Sequence, residues 1–302
     1  MTTACQNIVT GLVIASHGHH CTVQLNNGKQ LHCYPRGKRA GPVVGDKVDV
    51  LLEGQSEGVI NHIYERKNQL FRSDENRTKH FATNIDLLLL VVAPQPSFSN
   101  DLISRALVAS KHANIQPAII LNKADLAKHL PAARKQLAPF IKLDTPVIEL
   151  SALNAENTYK TLSPWLKNKT SLLLGQSGMG KSTILNALIP EANAPTQTHS
   201  EALDAGRHTT TGTRLYRLND INAQLIDSPG FQNFGLYHLS AAEIEDSFTE
   251  FTPLQGNCRF YNCTHQHEPG CAVLAALNAG EICPQRHRLY QRLLQENAQT
   301  RY

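Results

Sequence analysis

The segment Gly175-Gln176-Ser177-Gly178-Met179-Gly180-Lys181-Ser182 fits G-x-x-x-x-G-K-[ST], follows the apolar run Ser171 to Leu174 and opens a helical stretch at Thr183. Strand, glycine loop and helix in that order let consecutive backbone N–H groups turn inward on phosphate oxygens, while the helix N-terminus adds positive potential. In such a loop Lys181 reaches the β- and γ-phosphates and Ser182 offers its hydroxyl to Mg²⁺. The loop therefore commits the middle of the chain to a parallel sheet covered by helices. The surrounding texture agrees: apolar runs at Leu87 to Val92, Ala118 to Leu121, Val147 to Leu150 and Ser171 to Leu174 alternate with helical stretches such as Leu102 to Asn114.

Three further pieces match this loop. Asp227-Ser228-Pro229-Gly230 ends the run Ala223 to Ile226, placing a carboxylate for Mg²⁺ at a strand end and a glycine N–H for the γ-phosphate. Arg207-His-Thr-Thr-Thr211 is rich in hydroxyls, and one of Thr209, Thr210 and Thr211, with Thr210 the candidate, is expected to complete Mg²⁺ coordination and sense the γ-phosphate. Asn122-Lys123-Ala124-Asp125 follows the run ending at Leu121 and selects the base. A carboxylate accepts from both the ring N–H and the amino group of guanine, whereas adenine presents a ring acceptor there, so Asp125 favours GTP and disfavours an ATPase or small-molecule kinase. Asn122 braces the ring edge and the loop, the Lys123 stem lies along the base, and Ser151-Ala152 offers a backbone N–H to guanine O6. The order is abnormal, since N-K-x-D and S-A precede the phosphate loop. The nucleotide domain, residues 74–232, is thus expected to be circularly permuted.

The flanks differ in character. Residues 1–73 read as five short strands, Ile8 to Ala15, Cys21 to Leu25, Lys29 to Tyr34, Lys47 to Leu52 and Gly58 to Tyr64, which predicts an OB-like β-barrel. Lys29, Arg36, Lys38, Arg39, Arg66, Lys67 and Arg72 lie in or beside its loops, either an RNA-tracking surface or an ordinary solvated face. A net charge of +4 permits nucleic acid without arguing for it. In residues 233–302, helical patterns flank Cys258-x4-Cys263-x-His265-x5-Cys271, the ligand set of a closed structural zinc site in a small α-helical domain; His267 is an alternative ligand and Cys283 a core residue. Seven cysteines, an N-terminus without a basic-then-apolar leader, and no apolar run approaching the roughly 20 residues of a membrane span predict a cytoplasmic protein without a membrane partner.

Barrel, N-K-x-D, S-A, G-Q-S-G-x-G-K-S, R-H-T-T-T, D-S-P-G and the C-x4-C-x-H-x5-C tail together closely resemble the small ribosomal subunit biogenesis GTPase A (RsgA-type) family across nearly the whole chain. The resemblance implies a multi-domain α/β protein that hydrolyses GTP slowly until the small (30S) subunit stimulates it, acts late in that subunit's maturation and contacts 16S rRNA and other assembly factors as a monomer. Carried over motif by motif, Asn122, Lys123 and Asp125 bind guanine, Gly175 through Thr183 bind phosphates and Mg²⁺, and Cys258, Cys263, His265 and Cys271 bind zinc. After D-x-x-G, where ordinary GTPases often carry a water-orienting glutamine, stands Phe231, and Gln232 points elsewhere if the backbone is extended. His238 in Gly235-Leu-Tyr-His-Leu, a histidine at the same place in the family motif, is the candidate to position water, against a packing or RNA-contact role. Arg286, Arg288 and Arg292 on the last helix are expected to share subunit binding with the barrel. The alternative function is a non-catalytic, GTP-switched RNA-binding assembly factor.

Overall fold

The computed structural model describes residues 8–36, 41–73, 78–194, 212–228 and 235–299. Strands β1 (Ile8–Ser16), β2 (Cys21–Leu25), β3 (Gln30–Pro35), β4 (Lys47–Leu52) and β5 (Glu57–Ile63) alternate inward apolar and outward polar residues. They close into a barrel because β1 pairs with both β2 and β4, and β3 runs parallel to β5. Val13, Cys21, Val23, Leu31, Cys33, Val48 and Val50 fill its interior with no exposed surface.

Strands β6 (Gln69–Ser73) and β7 (Thr78–Thr83) pair with each other as an antiparallel ribbon. The boundary expected between residues 73 and 74 falls between these paired strands; that expected between 232 and 233 lies outside the described residues. Beneath the ribbon, the fully buried Asp46 carboxylate accepts from Arg66 Nε and Nη2 (both 2.8 Å), Thr83 Oγ1 (2.9 Å) and Val43 N (2.8 Å).

The central sheet follows as β8 (Leu87–Val92), α1 (Asn100–His112), β9 (Gln116–Leu121), α2 (Leu130–Ile141), β10 (Val147–Glu149), α3 (Ala155–Leu166), β11 (Thr170–Leu174), α4 (Lys181–Leu188), β12 (Arg214–Leu218) and β13 (Ala223–Asp227). Every residue of β8 is buried, as a parallel strand covered on both faces requires. The order is β10-β9-β8-β11-β13-β12, with the first five strands parallel and β12 antiparallel at the end. A single rung, Ala15↔Arg214, joins β12 to β1, so barrel and sheet form one continuous strand order. Helix α1 starts on Ser99, whose Oγ accepts from Leu102 N at 3.3 Å, and carries Lys111 in its last turn, a cation suited to a helix C-terminus, before ending at His112.

Helices α5 (Ala241–Asp246), α6 (Ala272–Asn278) and α7 (Pro284–Gln299) complete the chain. Helix α7 lies on α1: Arg105 bonds Asp101 and, through both terminal nitrogens, Glu296 (2.9 and 2.6 Å). Arg286 is not on an RNA-facing surface, contrary to the expectation for the last helix. Its side chain is 3% exposed, bonds Glu250 at 2.7 and 3.1 Å, donates to Ser104 O, and lies over the Phe248 ring. Arg292 pairs with Asp101 at 3.1 Å, while Arg288 is exposed.

Candidate functional site

The phosphate loop runs from the end of β11 into α4, with Gly178 and Gly180 in the left-handed region (φ 79° and 92°). A Cβ on Gly180 would lie 2.2 Å from Asn122 Nδ2, so the glycine is needed because the base-selecting motif packs directly on the loop. Asn122 is 2% exposed; its Nδ2 donates to Met179 O (3.0 Å) and its Oδ1 accepts from Ala152 N (3.0 Å). One amide thereby ties N-K-x-D, the phosphate loop and S-A together. The Ala152 N–H, one of the donors expected at guanine O6, is taken by Asn122. Ser151 Oγ donates to Asp125 Oδ1 at 2.5 Å and fixes that carboxylate. Lys123 (φ 58°) donates from Nζ to Gln95 O at 2.9 Å; burial lowers its pKa, with Asp125 pulling the other way. Ala124 N is held by Leu150 O at 3.1 Å. Gln176, at the loop's start, accepts from Ser99 N at 2.9 Å and so anchors the loop to the beginning of α1.

Lys181 Nζ donates to Gly175 O (2.6 Å) and Gln176 O (3.0 Å). Burial brings its pKa down to about 8, opposed by Asp227. Asp227 sits on β13 in register with Leu173 of β11, is 3% exposed, and is pushed up to about 6 by burial, with Lys181 and the Ser228 backbone opposing. Once ionised, this carboxylate at the end of β13, with the hydroxyls of Ser182 and Thr183 on the first turn of α4, makes up an all-oxygen donor set of the kind Mg²⁺ takes. Ser177 and Gly178 are exposed at the loop's tip. Thr210, with the rest of 207–211, and Gly230, Phe231 and Gln232 lie outside the described residues.

The structure does not bring His238 to the phosphate loop. Its ring packs 4.8 Å from Phe71 of β6 and 6.2 Å from His112, the last residue of α1. Ser99, touching Gln176, marks the other end of that helix, roughly 20 Å away at 1.5 Å per residue. Burial, with His112 adding and Glu243 opposing, pushes His238 down to about 4 and keeps the imidazole neutral at pH 7.

Cys258, Cys263, His265 and Cys271 converge as expected: their ligand atoms all lie within 4.8 Å of one another, with His265 Nδ1 3.3–3.6 Å from the three sulfurs. Three sulfurs and one imidazole nitrogen fit a tetrahedral zinc ion. Ala272 N and Leu274 N point at Cys258 Sγ and Cys271 Sγ (3.4 and 3.5 Å), donors that favour thiolates. His267 is exposed and outside the cluster, and Cys283 bonds Gln285 instead. Sequence reasoning missed Glu245, whose Oε1 is 3.2 Å from His265 Nε2, and His287, whose Nε2 meets His265 O at 2.7 Å. No spacing rule reaches them, because α5 and α7 are remote in sequence from the Cys/His loop.

The sequence model of the RsgA GTPase family matches residues 63–237. A small ribosomal subunit biogenesis GTPase RsgA from Bordetella pertussis is 55% identical over 295 residues, 98% of each chain. The chain belongs to the RsgA GTPase family. A second RsgA GTPase, from Burkholderia pseudomallei strain 1710b, is 51% identical over 291 residues, covering 96% of this chain and 92% of its own. Among solved structures, YjeQ from Thermotoga maritima superposes with a TM-score of 0.73 at 28% identity, covering 96% of this chain and 99% of that one. YloQ, described as a circularly permuted GTPase, gives a TM-score of 0.70 at 24% identity over 100% and 99% of the two chains. The RsgA fold, a β-barrel before a permuted nucleotide sheet and a helical Cys/His module, is the fold found here.

Proposed function

We propose that this chain binds GTP with Mg²⁺ and hydrolyses it during maturation of the small ribosomal subunit, slowly alone and faster on that subunit. The observation that carries this reading is the Asn122 amide, which packs base-selecting and phosphate-binding segments into one pocket. In it Asp125, held by Ser151 Oγ, accepts the two guanine N–H groups; the Lys123 stem covers the base; and the loop N–H groups from Gly175 to Ser182, with Thr183, surround the phosphates. Lys181 exchanges its two carbonyl partners for phosphate oxygens, which are stronger acceptors for an ammonium. Asp227 and Ser182, joined by Thr210 and by the Gly230 N–H at the γ-phosphate, complete the triphosphate end. Mg²⁺ supplies charge neutralisation between the phosphates there. A structural zinc ion in the Cys258–Cys271 loop fits the donor set and fixes the far end of the segment that follows Asp227.

His238 remains the candidate to position water. It lies ten positions after Ser228, a tether of at most about 35 Å when extended, which exceeds the length of α1. Leaving Phe71 and His112, a neutral imidazole can reach the γ-phosphate and accept a proton from water. Such a parked histidine accords with slow turnover until 16S rRNA or the subunit releases it. No helix among the described residues is long and apolar enough to cross a membrane. A cytoplasmic monomer working beside other assembly factors is the setting this reading implies.

The test is phosphate release from GTP with and without purified small subunits, for wild type and His238→Ala, alongside competition of GTP against ATP for binding. Wild-type turnover should rise with subunits, the variant should lose about 10²-fold of that rise at unchanged GTP affinity, and ATP should not compete. Binding without turnover would select the non-catalytic switch.

A further inference from the structure

Two adjoining hollows of about 500 and 430 Å³ lie between the barrel wall and β12, and share Asn26 and Arg217. The larger one is lined by Arg214, whose pairing with Ala15 is the single rung joining β12 to β1. Among the described residues neither hollow is lined by an aspartate or glutamate, while Arg214, Arg217 and Lys47 all contribute. Arg217 Nε is buried with no hydrogen-bond partner among the described residues. A buried guanidinium N–H without an acceptor is costly, and it leaves this arginine's charge uncompensated beside the cleft. The rest of the wall is amide-rich, including Asn26 and Asn27, and half-buried Tyr216 lies 5.5 Å beneath the Arg214 guanidinium.

We propose that this cleft holds an RNA strand, with Arg214, Arg217 and Lys47 on phosphodiester oxygens and Tyr216 against a base or ribose. Cations alone would suit an acidic peptide equally. The amides tip the choice, because each offers donor and acceptor together and so matches base edges and the 2′-hydroxyl, and an aromatic face stacks on any base. The loop cations available for this task are fewer than the sequence suggests: Arg66 is spent on Asp46 and Lys67 on Asp86. The cleft also lies close to the nucleotide, since Arg214 is the cross-strand neighbour of Asp227 and Arg217 that of Gln224. An RNA strand seated there lies one strand away from the carboxylate assigned to Mg²⁺, a direct route from partner to nucleotide.

This proposal rests on the RNA-binding part of the proposed function. Its test measures affinity of the full chain for purified small ribosomal subunits and for a fluorescein-labelled uridine 12-mer across a salt series. The chains are wild type, Arg217→Gln, Arg214→Gln, the double variant and Asn27→Glu, with melting temperature and GDP affinity as fold controls. The double variant should bind both RNAs about tenfold more weakly, with a salt slope shallower by about two. Asn27→Glu, which adds a carboxylate on the exposed turn and removes nothing from the core, should weaken binding without lowering the melting temperature. Wild-type affinity and slope in the double variant, or unchanged affinity in Asn27→Glu, overturns the cleft and leaves the proposed function standing. If the wild type binds neither subunits nor RNA, both fall. Displacement of the 12-mer by a glutamate 12-mer at lower concentration than by unlabelled RNA also overturns the RNA assignment.

Discussion

Arg66 grips Asp46 through two 2.8 Å bonds at the seam where the barrel meets the β6–β7 ribbon, and Asp46 has no exposed surface at all. Removing one partner of a buried pair leaves the other charge without compensation, which costs about 3–5 kcal/mol. Arg66→Ala should therefore lower the urea midpoint strongly. Arg66→Ala with Asp46→Asn should recover part of that loss, a coupling that a solvated loop arginine would not display.

Asp125→Asn should move nucleotide preference toward xanthine, which carries an oxygen where guanine has its amino group, with a loss for GTP of roughly 2–4 kcal/mol. Asn122→Ala acts differently, since its amide holds the loop as well as the base motif. It should weaken GDP and xanthosine diphosphate alike. Titrating both nucleotides against each variant separates the two roles.

Asp227 carries a sign prediction. Its folded pKa of about 6 lies above the ordinary 3.8, so the folded state binds its proton more tightly than the unfolded chain does. The stability this contributes is present below pH 4 and lost as pH rises through 6. Lys181 is the mirror case: with its pKa lowered to about 8, it costs stability below that value, and the cost is relieved as pH climbs beyond it. Asp227→Asn should accordingly match wild type at pH 4 and exceed it in unfolding free energy at pH 7 by about 1–2 kcal/mol. That is less than the shift alone implies, because Lys181 loses its partner. Urea unfolding of the nucleotide-free chains at the two pH values checks the crossover.

If the Cys/His cluster holds the proposed zinc ion, Cys271→Ser should abolish zinc binding and unfold the C-terminal module, while the parallel sheet, with its own core, still binds GDP. Glu245→Gln is the milder probe. Loss of a carboxylate behind a ligating histidine typically weakens metal binding 10–100-fold, read by chelator competition. His267→Ala should leave zinc content, measured by atomic absorption, at one per chain.

What could be seen in advance was whatever a short stretch of chain decides by itself. The glycine loop, N-K-x-D and the Cys/His spacing each need a particular backbone and particular atoms within a few residues, and the structure brings the first two together through Asn122 and gathers the four Cys/His side chains. Strands β2 and β4 were placed to the residue, because alternation and flanking turns define them locally. Strand β12 was overlooked: Arg214-Leu-Tyr-Arg-Leu218 carries two arginines in five residues, and its identity as a strand comes from pairing with β13 and touching β1. Arg286 was misjudged for a related reason. An arginine on a helix looks the same facing solvent or facing Glu250, and only the docking of α7 on α1 decides. His238 depends on Phe71, far earlier in the chain, which no local pattern could supply.

The α1–α7 clamp also dictates when the protein can finish folding. Glu296 closes on Arg105 across 191 positions, and Arg286 reaches Ser104 across 182. Synthesis proceeds from the other end, so the outer face of α1 stays wet while everything between is being made. Loop-closure entropy for contacts so distant is met only once residues 286 to 296 have been made. A chain cut before residue 286 would keep its nucleotide motifs and leave Arg105 without Glu296 and Ser104 O without Arg286. Closure of α7 over α1 is thus a late step relative to formation of the parallel sheet.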